Sequence, residues 1–262
     1  MRMWMAAALS AAVVGLGAVR AGFGFSITPE FVDGAGQTWD GTEEAVVEAA
    51  IDSWTSRLEV PAGQAESTSM TFEFVHGNGE LASWTGNPVS SATGSYVTTP
   101  GVDHVIDINV DLMDPILTNH LVFTLGDVPF DDWDALSVLR HEIGHAMGFN
   151  TVYDDDGGSE WLRHVTIDGS NATFDAGGLN LALDGSGDVV HLSGTGQIAD
   201  DLMSAFLPNG TRKDVSADDM NALVLAYGYT VVPEPGTVGV AVAGVVGMLL
   251  RRRRGGEMVN GK

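Results

Sequence analysis

The chain has 262 residues, 44% of them hydrophobic, and a formal net charge of −23; this is enough for one substantial domain or two small ones and excludes global disorder. It contains no cysteine, which rules out disulfides, a thiol nucleophile and thiolate zinc ligands. Only five of the 12 Lys and Arg residues lie between Gly22 and Val232, and so acidic a body repels DNA, RNA and anionic membrane surfaces, so no nucleic-acid partner is expected.

Residues 1–21 open with Arg2, continue through an apolar stretch from Trp4 to Ala18 and reach Val19-Arg20-Ala21. A charged start, a short apolar region and small residues before a cut describe a secretory signal peptide, so the protein is expected to be exported. The body then runs from Gly22 to Val232. Thr42 is placed to cap a first helix, with Glu43 and Glu44 in its positive first turn and Val47, Ile51, Trp54 and Leu58 at helical spacing. Phe72 and Phe74 alternate with Thr71 and Glu73 as in a half-buried strand, and Ile106 to Leu112 alternate more clearly still. The Gly-, Ser- and Thr-rich stretch 77–101 between them predicts loop or a weak hairpin.

A second helix is expected from Asp131 or Asp132, with Trp133, Leu136, Leu139 (or Arg140), Ile143 and Met147 on its buried face and Gly148 ending it in a left-handed conformation. It carries His141-Glu142-Ile143-Gly144-His145. Two histidines four apart on a helix share a face and can both reach one Zn²⁺, while Glu142 stands beside them as a candidate catalytic base rather than a ligand. Zinc brings the pKa of a bound water down to about 7, which makes hydroxide accessible at neutral pH.

Two histidines do not complete the site. The candidates for a third ligand are His191, His164, which is 19 residues beyond His145, and the carboxylates of Glu160, Asp154, Asp155 and Asp156. His76, His104 and His120 read as strand-end or surface residues. About 60 residues dense in Gly and Asp separate this helix from the last one, which Ser216 and Asp219 announce as a capping box and Gly228 ends. So much irregular chain points to a metal or a function. Asp154-Asp155-Asp156-Gly157 and the segment from Asp184 to Asp188 could hold Ca²⁺, although neither has EF-hand spacing and solvated acidic turns are the simpler reading. Asn171-Ala172-Thr173 matches a glycosylation sequon, from which nothing is drawn.

The run His-Glu-Ile-Gly-His-Ala-Met-Gly-Phe, residues 141–149, resembles the opening of the metzincin zinc-peptidase signature. The common metzincin pattern places a third histidine where this chain has Thr151. A leishmanolysin-like variant keeps the opening, inserts a long segment and supplies its third histidine downstream. His191, 46 residues beyond His145, has that place, and Asp201-Leu202-Met203-Ser204 after it resembles the Met-turn that runs beneath the metal. The segment from Phe174 to Tyr229 also resembles the C-terminal half of metalloproteases that carry PEP-CTERM tails. The resemblance implies an α+β fold: a twisted sheet with two helices behind it, and a smaller irregular C-terminal part bringing up His191, Met203 and the last helix. A substrate cleft would lie between the parts, bordered by an edge strand, for which Ile106 to Leu112 is the candidate. It also implies a zinc endopeptidase acting on a protein or peptide, with His141, His145 and His191 on the metal. The alternative is a non-catalytic surface or matrix protein with a structural zinc site, against which Glu142 is the telling residue.

Residues 233–262 begin Pro233-Glu234-Pro235, continue through an apolar run from Thr237 to Leu250 and reach Arg251, Arg252, Arg253 and Arg254. The run is shorter than the roughly 20 residues of a relaxed membrane-spanning helix, and the arginines would hold the tail on the cytoplasmic side. An ordinary C-terminal anchor is one reading. The order of these three parts resembles the PEP-CTERM sorting signal, which implies a bacterial protein, processing by an exosortase-type enzyme, an extracellular or cell-surface location, and membrane contact only through this segment.

Overall fold

The computed structural model describes residues 25–60, 67–77, 79–87, 103–150, 161–185, 187–193 and 201–232. The expected signal peptide, the C-terminal tail, the acidic run at Asp154, Asp155 and Asp156, and Glu160 lie outside the described residues. What is described is mixed α+β, as expected.

The main sheet contains β1 (Ser26–Val32), β3 (Ser67–Val75), β5 (Asp103–Asn109) and β4 (Ala82–Asn87) in that spatial order. The pairs β1–β3 and β3–β5 are parallel, and β4 runs antiparallel to β5. Helix α1 (Gly41–Thr55) connects β1 to β3 by way of the two-residue strand β2 (Leu58–Glu59). It starts earlier than expected. Asp40 caps it, accepting the N–H groups of Thr42 at 2.7 Å and Glu43 at 3.0 Å, while the Glu43 carboxylate accepts the Asp40 N–H at 3.0 Å. A capping box needs an acceptor side chain three residues into the helix; Asp40 has Glu43 there, whereas Thr42 would have had Ala45. Val47, Ile51 and Trp54 are buried against Met70, Phe72, Phe74, Ile106 and Ile108 from the inner sheet face, forming the core with the next helix.

That next helix, α2 (Ala135–Met147), follows two short paired strands, β6 (Leu121–Val122) and β7 (Trp133–Asp134). It too is shifted from expectation, because Trp133 is spent on β7 and the cap is Asp134. This fully buried carboxylate accepts the Ser137 N–H at 3.1 Å and the Ser137 hydroxyl at 2.6 Å. It also takes the Arg212 guanidinium at 2.8 and 3.0 Å, a neutralisation that burial makes necessary. Every residue of α2 is buried, so the helix is the axis of the molecule rather than a surface element with one inner face. Gly148 ends it at a positive φ of 145° but with ψ −9°, outside the left-handed helical well.

The gap between the helices contains a three-stranded antiparallel sheet that the sequence reading did not identify: β8 (Val165–Asp168), β9 (Asn171–Ala176) and β10 (Leu179–Ala182), ordered β10-β9-β8. Helix α3 (Ala217–Tyr227) begins at Ser216 with Asp219 as its partner and ends at Gly228 with φ 75°, as expected. Strand β11 (Thr230–Val231) then pairs with β2 and returns the C-terminal part to the end of α1.

Asp219 is fully buried; its carboxylate accepts the Ser216 N–H at 2.8 Å and the Met203 backbone N–H, while Oδ1 has no hydrogen-bond partner. Burial pushes its carboxyl from 3.8 up to about 7. A raised folded-state pKa means that the folded chain holds a proton the unfolded chain has lost. The stability this group contributes is therefore complete below about pH 4 and is withdrawn as pH rises through about 7. At about 1.4 kcal/mol per pKa unit the swing is on the order of a few kcal/mol. Asp219→Asn is expected to remove it: in urea unfolding, the variant should gain on the parent chain as pH is raised from 5 to 8. A pH-independent difference between the two would refute this reading.

Candidate metal centre

Three imidazoles converge. His141 and His145 project from α2, and His191 reaches them from the loop after β10. The Nε2 atoms are 3.1 Å apart for His141 and His145, 3.1 Å for His141 and His191, and 3.2 Å for His145 and His191. Three ligands about 2.05 Å from a tetrahedral zinc ion would be separated by about 3.3 Å, so the triangle is close to the required size.

The opposite nitrogen of each ring explains why these edges face inward. His141 Nδ1 lies 2.8 Å from the Leu202 carbonyl, His145 Nδ1 is bonded to the Phe149 carbonyl, and His191 Nδ1 lies 2.7 Å from the Asp188 carboxylate. Carbonyl and carboxylate oxygens only accept, so each Nδ1 carries the proton and each Nε2 presents a bare lone pair. Burial, reinforced by the neighbouring imidazoles, holds His141 well below the usual histidine range and His145 down to about 4. Three bare lone pairs turned on one point, two of them on imidazoles that burial keeps unprotonated at neutral pH, are a donor set that calls for a cation. The residues present thus fit a metal ion, and among the described residues no other His, Asp or Glu joins the group.

Glu142 lies beside the triad rather than in it. Burial pushes its carboxyl up to about 8, against the opposing effect of the Trp84 backbone N–H. A divalent cation next to it would lower it again. All four side chains line one cleft of about 520 Å³, with Leu81, Ala82 and Trp84 on one wall and Ala205 and Leu207 among the other lining residues.

The first wall corrects the expected edge strand. Ile106 to Leu112 cannot border the cleft because β5 is paired on both sides, to β3 and β4, and stops at Asn109. There the Asn109 side chain accepts the N–H groups of Gly77 and Asp111 and turns the chain into a short 3₁₀ helix, Val110–Leu112. The outer strand is β4, from the stretch expected to be loop or weak hairpin.

Of the other histidines, His164 packs against Phe174 at 5.6 Å between ring centres, His76 is paired with Asp111 at the surface, His104 accepts from Trp84 Nε1 at 3.3 Å, and His120 lies 2.8 Å from Asp132. Met203 is fully buried beneath α2. Its sulfur occupies the space a side chain at Gly144 would need, since a Cβ there would stand 2.4 Å from it. Leu202 holds His141, and the Met203 carbonyl accepts the Leu192 N–H at 2.8 Å, so this turn braces both arms of the triad. In the Asp184 to Asp188 segment, named as a calcium candidate from the sequence, Asp188 supplies the partner of His191. No family model matches this chain and no curated protein matches it either; the chemistry rests on the geometry alone.

Proposed function

We propose that this chain is a zinc-dependent endopeptidase of metzincin type, in which His141, His145 and His191 hold the metal and Glu142 is the general base. The observation that carries the reading is a three-nitrogen site with a buried carboxylate beside it, opening on a cleft walled by β4, whose outer edge pairs with no other strand among the described residues. Structural zinc sites are closed by four protein ligands, whereas catalytic sites use three and keep a position open. Three imidazoles suit Zn²⁺ among the available metals, and an ion with no redox chemistry suits hydrolysis. When bound, it would polarise a scissile carbonyl and acidify water. Glu142 would take the proton and deliver it to the leaving amine. The outer edge of β4 would hold a peptide in extended form by main-chain hydrogen bonds, while Met203 supports the floor.

Export through residues 1–21, sorting through the PEP-CTERM-like residues 233–262 by an exosortase-type partner, and a bacterial cell-surface or extracellular location belong to the same proposal. No helix among the described residues is long and apolar enough to cross a membrane. Calcium is not required by this reading.

Purified chain should contain about one zinc and cleave casein, lose cleavage to a chelator and recover it with added zinc. Zinc without cleavage of casein or gelatin would favour the non-catalytic alternative, and a folded chain without zinc affinity would end the proposal. His191→Ala should cost more metal affinity than the roughly 10–100-fold typical of losing an outer partner, as read by chelator competition. His164→Ala should leave the affinity unchanged. The reverse pattern would make His164 the ligand.

A further inference from the structure

His191 differs from the other two histidines in how it is held. His141 and His145 are set by a fully buried helix, and their Nδ1 atoms bond main-chain carbonyls. His191 stands on a loop with 20% of its side chain exposed, and its Nδ1 is bonded to a side chain, the Asp188 carboxylate, at 2.7 Å. The loop is pinned at several points: the Asp184 N–H donates to the His191 carbonyl at 3.0 Å, Trp161 Nε1 to the Val189 carbonyl at 2.7 Å, and the Leu192 N–H to the Met203 carbonyl at 2.8 Å. None of these bonds fixes the rotation of the His191 ring. The Asp188 carboxylate does, with Oδ2 on the ring while Oδ1 receives the Val190 N–H at 3.4 Å.

We propose that Asp188 is the positioning residue of the metal centre: it aims His191 Nε2 at the ion and supplies the anionic charge that three neutral imidazoles lack. This rests on the metal-site reading above but not on the peptidase reading. A carboxylate behind an imidazole fixes its tautomer and raises its basicity as a ligand. The pair contributes little to folding, because the Asp188 side chain is 38% exposed and water screens its charge. Its contribution is therefore expected in metal affinity rather than in the stability of the metal-free chain.

The test uses the full chain and metal alone, without substrate. Zinc affinity is measured by chelator competition, Co²⁺ binding by its visible ligand-field spectrum, and metal-free stability by urea unfolding, for the parent, Asp188→Ala and Asp188→Asn. Asp188→Ala is expected to bind zinc about 10–100-fold more weakly, with an altered cobalt spectrum and unchanged metal-free unfolding. Asp188→Asn retains an acceptor for the His191 N–H but loses the charge. It should keep the parent's cobalt spectrum with an intermediate affinity, and it serves as the decisive variant if the alanine chain does not fold. Parent-like affinity and spectrum in Asp188→Ala, or in Asp188→Asn parent affinity or an affinity no better than the alanine variant's, would overturn the proposal. A chain whose zinc affinity depends on Asp188 but which cleaves no protein would refute the peptidase reading and leave this one standing.

Discussion

Glu142→Gln is expected to lose about 10²–10⁴-fold of peptidase turnover, the range a positioned general base supplies, while retaining its zinc. The side chain lines the cleft but is not one of the three groups whose donor atoms converge. Gln is nearly the same shape and can still accept from the Trp84 backbone, so the fold should survive. Burial raises the Glu142 carboxyl from 4.5 to about 8, so in metal-free protein the stability it contributes is full below about pH 4.5 and withdrawn as pH rises through 8. The Gln variant should therefore be the more stable of the two in chelator at alkaline pH. Casein turnover, zinc content and urea unfolding separate these effects. Undiminished turnover with zinc bound would remove Glu142 from the mechanism.

The largest loss of stability is expected at Trp54, by which α1 grips α2. Its side chain is fully buried, its indole N–H donates to the Arg140 carbonyl at 2.9 Å, and its ring lies 3.1 Å from where a Cβ at Gly144 would stand. Truncating a buried tryptophan costs about 3–5 kcal/mol, a large share of the 5–15 kcal/mol by which domains are stable. Trp54→Ala should show that loss in urea unfolding, whereas Trp54→Phe, which retains most of the apolar surface, should lose much less. Zinc affinity should fall with the alanine change, because the ring supports the turn between His141 and His145. A loss under about 1 kcal/mol would mean that the interface between the helices repacks freely.

The site was more legible in the sequence than the scaffold around it. The spacing of His141, Glu142 and His145 determines their placement on one helix, and His191 was reachable by resemblance to an arrangement with a distant third ligand. The contact of Asp188 with His191 was not legible because an Asp-Gly-rich turn looks the same whether its carboxylate faces water, calcium or an imidazole. The cap at Asp40 was readable from the capping-box rule, but the cap at Asp134 was not, since its advantage over Asp132 comes from Arg212, 78 residues away. The edge strand failed for a general reason. Alternation such as that of Ile106, Asp107 and Ile108 reports which face of a sheet is buried, and it is silent on which neighbours a strand has. The β8–β10 sheet had a usable signal in the period-two burial of Ala172, Phe174 and Ala176 and in the Gly177-Gly178 turn at φ 58° and 91°, which the abundance of Gly and Asp obscured.

Because there is no cysteine, no covalent staple joins the two parts of the body. The three imidazoles come from stretches 46 residues apart in sequence, and an ion held between them would be a reversible clasp. Unlike a disulfide, such an ion does not restrain the unfolded chain, and it stabilises only by mass action: free metal at a thousand times its dissociation constant favours the folded chain by about 4 kcal/mol. The working lifetime of the protein would then be set by metal supply. Where that metal is scarce the clasp would open, the His191 arm would loosen from α2, and the chain would become prey to proteases like the one it is proposed to be.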